Sequence, residues 1–327
     1  VFVIVNSIQK KTHLIMTYHH AFYDGVSLAH LQDVLLNAYC DSLRNEKYKP
    51  SKKQGLPLGI EHIIQCYDTS DAGLEDSESI MKVMQISLHP KSQTNNIPKL
   101  LSDESMFGES VGNIVNQHVQ HIHFGEEGTR YARSLAQQYN ISFYSYMCAI
   151  VMNTLSHIHQ EDIHLVFWGI TNARSMMNEK VESGCHILFN MIDVHAEKGS
   201  QLWPLATKIH IQWASKTSNI ERMCTRQKIM IGMLDSMFSL IPNMSLWGDE
   251  KKVQIMVIYL GTVKNNSELQ IKKKDVVIQF RNLQYPCLCF YFTMLDDILH
   301  CSISGNIPFV NVCKIASIMK EVGTHIF

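Results

Sequence analysis

Between residues 118 and 217 the spacing of apolar residues switches repeatedly from strand-like to helical, and this alternation limits the possible folds most. "HVQHIHF" (118–124) alternates as a strand does, and "GEEGTRYARSLAQQYN" (125–140) is amphipathic at helical spacing, with Asn140 as its stop. Ser142 opens "SFYSYMCAIVMNTLSHIH", a helix apolar on all sides and therefore expected to be buried all round. "DIHLVFWGITNARS" (162–175) reads as a buried strand ending in a polar turn. "HILFNMIDVHA" (186–196) is a further strand, and "LWPLATKIHIQWASKT" a helix starting near Trp203. Strand candidates follow at 253–259, 275–283, 286–295 and 298–303, and "NVCKIASIMKEVGTHIF" closes the chain as a helix. Helices and strands interleave without a strict βαβ rhythm. The expected class is α/β in the mixed, α+β sense, with layered sheets flanked by helices.

The first 44 residues follow the same logic. Val1–Asn6 and His13–Tyr18 read as the strands of a hairpin, and Ser27 as an N-cap. Leu28, Leu31, Val34, Leu35 and Ala38 then give a helical stripe reaching to about Arg44, where "RNEKYKPSKKQG" breaks it. Residues 55–117 are weakly patterned, with Pro57 ahead of a short helical stretch and an acidic, loop-like remainder. A crossover between lobes is expected there.

With 46% apolar and 18% charged residues over 327 positions, the chain can bury a large core. A net charge of −1 gives no broad electrostatic footprint for nucleic acid or an anionic membrane. No run of 18 apolar residues occurs, so no spanning helix is expected, and the start of the chain does not have the order of a secretory leader. The nine cysteines form no CxxC pair and mostly sit in apolar runs. That favours buried thiols in a reducing, cytoplasmic compartment over a disulfide framework.

One stretch carries chemistry. In "TYHHAFYDGVSLAHL" (17–31), two imidazoles stand at a strand-to-loop junction. An imidazole titrates near neutrality and suits a general base. Asp24 can hold the loop by an ion pair or hydrogen bonds, and Gly25 permits a tight turn. An isolated histidine pair more often merely decorates a strand end. Four residues at fixed spacing rarely coincide by chance.

His19-His20-xxx-Asp24-Gly25 resembles the HHxxxDG motif of the condensation-domain and chloramphenicol-acetyltransferase-like superfamily. Its members include peptide-synthetase condensation domains, polyketide-associated acyltransferases and alcohol acetyltransferases. Further segments resemble the family in order along the chain. They are the helix pair after residue 124, the "GITNARS" turn, "GCHILFNMIDVHA" with matches at Phe189 and Asn190, and "VIYLGTV" with matches at Leu260 and Gly261. The resemblance implies a two-lobed fold, with residues 1–117 the remainder of an N-terminal lobe and 118–327 the C-terminal lobe. The family has about a hundred residues or more before this motif, whereas 18 precede it here, so an incomplete first lobe is expected.

The resemblance also assigns roles. His20 is implied as the catalytic base in a tunnel between the lobes, with His19 a minor contributor. Asp24 is implied as structural, paired with a distant arginine. The matching turn is "TNARS", which proposes Arg174, whose alternative is a solvated loop arginine. Gly25 carries over as a turn residue, and Asn190 as a holder of the cross-lobe strand or a tunnel-lining residue. No resident cofactor is implied; the co-substrate is acyl-coenzyme A or a phosphopantetheinyl thioester, the acceptor an alcohol or amine, with a carrier protein as a further partner. His121 with His123, and His157 with His159, lack a third ligand at recognisable spacing, so no metal is expected. The basic "KNNSELQIKKKD" run (264–275) reads by default as a solvated hairpin loop, and the Met-rich stretch 230–244 as adaptable core or tunnel lining.

The leading expectation is an acyltransferase acting through a histidine base. The alternatives are a condensation domain of a non-ribosomal peptide synthetase and a non-catalytic, decayed homologue.

Overall fold

Phe2–Asn6 (β1) and Lys11–Ile15 (β2) pair antiparallel, from Phe2 opposite Ile15 to Asn6 opposite Lys11. The hairpin forms where the sequence places it, but β2 ends three residues before Tyr18. Ile15 already lies opposite the first residue of β1, and a strand persists only where its backbone has a ladder to join. The structure, a computed structural model, describes residues 2–6, 11–16, 18, 23–44, 63–64, 117–159, 162–176, 184–228, 254–263, 287–306 and 312–324. The strand expected at 275–283 and the segments 264–275 and 230–244 lie outside these residues.

Gly25–Leu43 form α1, which ends at Arg44 as its periodicity predicts. Its cap is Asp24, not Ser27. The Asp24 carboxylate accepts from the Ser27 backbone N–H at 2.9 Å, so Ser27 is the third residue of the helix. Gly25 is the first helical residue and is not among the glycines with positive φ, so the turn expected at this position is a helix entry.

The chain divides into two compact units, Val1–Ile63 with Ala173–Ile187, and Ile64–Asn172 with Leu188–Phe327. The second is built on a six-stranded mixed sheet. Its strands are Gln117–His123 (β3), Ile163–Asn172 (β4), Ile187–Ala196 (β5), Gln254–Val263 (β6), Cys287–Leu295 (β7) and Ile298–Asn306 (β8), in the order β3-β8-β7-β6-β4-β5. β6 runs parallel to both β4 and β7, whereas β3–β8 and β7–β8 are antiparallel. Asp296 and Asp297, both at positive φ, turn β7 into β8 in a two-residue hairpin of the kind that matches strand twist.

The helices are Glu126–Gln138 (α2), Phe143–His159 (α3), Leu202–Thr217 (α4), residues 220–228 (α5) and Val312–Thr324 (α6). Asn140, at φ 51°, stops α2 while the Ile141 N–H bonds back to the Ala136 carbonyl. The Ser142 hydroxyl caps α3 by accepting from the Ser145 N–H. Tyr146 through Met152 are all buried, as a helix apolar on every side requires.

Alternation along the strands sorts the two sheet faces. Phe290, Phe292 and Met294 of β7 and Leu299, Cys301 and Ile303 of β8 join the main core with α2, α3, α4 and α6. Cys289 and Tyr291 point to the other face with Ile258. Burying a large apolar side chain of this kind contributes about 1.5–3 kcal/mol.

Candidate active site

His19 and His20 lie outside the described residues. The residues that bracket their segment do not. Tyr18 and Tyr23 pack edge to face, ring centroids 5.9 Å apart, and Asp24 follows at the entry to α1.

Asp24 is 1% exposed and its carboxylate is fully engaged. Oδ1 accepts from the Ser27 N–H, while Oδ2 accepts from Arg174 Nη1 at 2.6 Å and from the His186 N–H at 2.8 Å. Arg174, itself 9% exposed, donates from Nη2 to the Ser27 hydroxyl and to the Gly184 carbonyl, each at 2.8 Å. The Ser27 hydroxyl donates to that same carbonyl at 2.6 Å. All of these residues belong to the first unit. Burial alone would raise the Asp24 pKa, but the Arg174 bond and the two backbone N–H donors outweigh it and hold the carboxyl below its ordinary value.

Local sequence explains the placement. The short turn Ala173–Met176 follows β4 and carries Arg174. The Ala173 N–H bonds to the His186 carbonyl at 2.9 Å, which closes the segment between them. Gly184 has φ +118°, and a Cβ there would lie 2.5 Å from His186 Nε2, so both conformation and space require glycine. The structure therefore brings Asp24 and Arg174 together, with Ser27, Gly184 and the His186 backbone as further partners. Ser27 was readable only as an N-cap and Gly184 only as a glycine ahead of a strand, and the His186 N–H was not readable at all, because backbone N–H groups leave no trace in residue identity.

Asn190 takes part in a different cluster, in the second unit. It is 2% exposed, donates to the Thr171 hydroxyl at 3.0 Å, and accepts from Arg226 Nη1 at 3.1 Å. Arg226 also donates to the Lys216 carbonyl. Asn190 thus ties β5 to β4 and to α5. Gly261 lies where β6 and β7 shift register between Tyr259 and Thr262. Among the described residues, no group of three or more His, Cys, Asp or Glu side chains could hold a metal ion. No described helix is long and apolar enough to cross a membrane.

No family model matches the sequence, and no curated protein matches it. Solved structures do match. The epimerization domain from the third module of tyrocidine synthetase B superposes with a TM-score of 0.63 at 14% identity, over 97% of this chain and 69% of that one. The trichothecene 15-O-acetyltransferase from Fusarium sporotrichioides gives a TM-score of 0.62 at 11% identity, over 93% and 64%. The first condensation domain of the calcium-dependent antibiotic synthetase gives 0.53 at 12%, over 94% and 62%. The chain spans less than two thirds of the latter two. The chain shares the fold of these three domains. A fold that serves an epimerization domain, an acetyltransferase and a condensation domain does not by itself select the chemistry.

Proposed function

We propose that the protein transfers an acyl group from a pantetheine thioester, carried by coenzyme A or by a carrier protein, to a hydroxyl or amine, with His20 as general base. The observation that carries this reading is the Asp24–Arg174 network. A buried ion pair with three donors on one carboxylate is an expensive way to begin a helix. It makes sense where the preceding residues, His19 and His20, must be held in a fixed direction.

In the proposed reaction His20 takes the proton of the acceptor O–H or N–H as that atom bonds to the thioester carbonyl carbon. The carbonyl oxygen carries the negative charge until the C–S bond breaks. The proton then passes from His20 to the departing thiolate. No acyl-enzyme forms, because holding both substrates together already supplies much of the rate gain. Asp24 and Arg174 act by positioning the loop, and His19 is a minor contributor.

The test is release of free thiol from acetyl-coenzyme A in the presence of primary alcohols and amines, with His20→Ala alongside. We expect the variant to lose transfer by a factor of about a hundred or more. Turnover equal to wild type in His20→Ala would sink the reading.

A further inference from the structure

Side chains alternate between the two faces of a strand, so the sheet face turned away from the helices carries every second residue. On β3 and β8 that face holds His121, His123, His300 and Ser302, since Ile122, Leu299 and Cys301 sit in the main core. His123 lies directly opposite His300. The neighbouring Phe124 N–H bonds to the Leu299 carbonyl at 2.9 Å, which makes His123 and His300 a non-hydrogen-bonded pair, the kind whose side chains stand closer. Their ring centroids are 6.0 Å apart and the planes tilt by 42°. His123 is exposed and His300 partly exposed, so the pair meets solvent. His121 is turned instead to the Ser302 hydroxyl, 3.1 Å from its Nδ1.

We propose that His123 and His300 together bind one divalent transition ion of the zinc type, with water completing its coordination. Zinc–nitrogen bonds of about 2.1 Å at tetrahedral angles hold two imidazole rings with centres about 5 Å apart. The pair therefore has to close by about an ångström, which side-chain rotation at a solvent-facing position supplies. Imidazole suits zinc, copper and nickel ions, and a ring that ligates through one nitrogen keeps the other for a hydrogen bond. Two protein ligands are fewer than a structural or catalytic zinc centre has, so the ion is held modestly and exchanges. It joins β3, at the edge of the sheet, to β8 through side chains as well as backbone. Histidine spacing along β3 does not reveal the site, because the second ligand arrives from another strand.

The test is calorimetric titration of the whole protein with zinc chloride at about pH 7.5, where imidazole is neutral, for wild type, His123→Asn, His300→Asn and His121→Asn. Each variant of the pair should bind zinc at least about tenfold more weakly, because altering a group one step removed from a metal already costs about 10–100-fold. His121→Asn should bind as wild type does. One equivalent of copper(II) on wild type should show two coordinating nitrogens by electron paramagnetic resonance, and one in His123→Asn. Binding should weaken as the pH falls below about 6.5, where protons take the ligating nitrogens. Unchanged zinc affinity in His123→Asn or in His300→Asn overturns the proposal, as does a wild type that binds no zinc. Loss of binding in His121→Asn with His300→Asn unaffected would place the ion on β3 alone and overturn it as well.

Discussion

At the scale of single residues, the Asp24 carboxylate does more than cap a helix. Asp24→Asn leaves the Arg174 guanidinium, 9% exposed, without its counter-charge. We expect a loss of about 3 kcal/mol of unfolding free energy in urea titration. The pH dependence has a definite sign. A carboxyl held below its ordinary pKa by folding stabilises the protein above about pH 4, and that contribution disappears as the pH falls through the lower, folded value. Wild type should therefore lose stability on acidification from about pH 4 downward, over a range where Asp24→Asn stays flatter. Asp24 and Arg174 were both legible as residue types at matching motif positions. Ser27 was legible only as a capping residue one turn too late. Its hydroxyl is taken up by Gly184, 157 positions away in the chain, and nothing local to Ser27 announces that contact. Tyr18 reads in the sequence as the last residue of a strand, whereas β2 ends at Ile15.

At the scale of elements, periodicity located most segments, because burial against one neighbour imposes its own repeat on the chain. The starts and stops of α1, α2 and α3 follow short-range chemistry at Asp24, Asn140 and Ser142. Burial was less legible. The stripe of α1 predicts a core face, yet among its residues only Ser27 and Cys40 are buried, and Leu35 is 38% exposed. Periodicity states which residues share a face, not what covers it. Packing between elements was not legible at all in β4. There a Cβ on Gly169 would meet the Trp213 ring and the Tyr144 hydroxyl, each at 2.5 Å. The Tyr144 hydroxyl also donates to the Val257 carbonyl at 2.9 Å and so has little room to retreat. Gly169→Ala should cost about 2 kcal/mol through overpacking, read as a lowered midpoint in thermal or urea unfolding with no change of fold by circular dichroism.

At the scale of the whole molecule, the layering of helices on a mixed sheet decides which side chains meet water. Cys148 and Cys301 lie in the main core, and burial pushes both thiols well above their ordinary pKa. Cys40, Cys224 and Cys289 are buried as well, whereas Cys313 on α6 is exposed. With a thiol-specific aromatic disulfide, mass mapping should find Cys313 modified in the native protein and these five only after denaturation. Rapid labelling of native Cys301 would contradict its place on the helix-covered side of β8. The sequence alone determined the mixed class and the order of most elements, because periodicity and caps are properties of local chain chemistry, whereas the pairing of Asp24 with Arg174 was an expectation from the resemblance that the structure bears out. Tertiary structure alone decided the sheet order β3-β8-β7-β6-β4-β5, the grouping of Ala173–Ile187 with the first unit, and the donors that complete the Asp24 site. Those depend on which distant backbone groups arrive at the same place, and a hydrogen bond formed across some 160 residues leaves no periodic mark on either end.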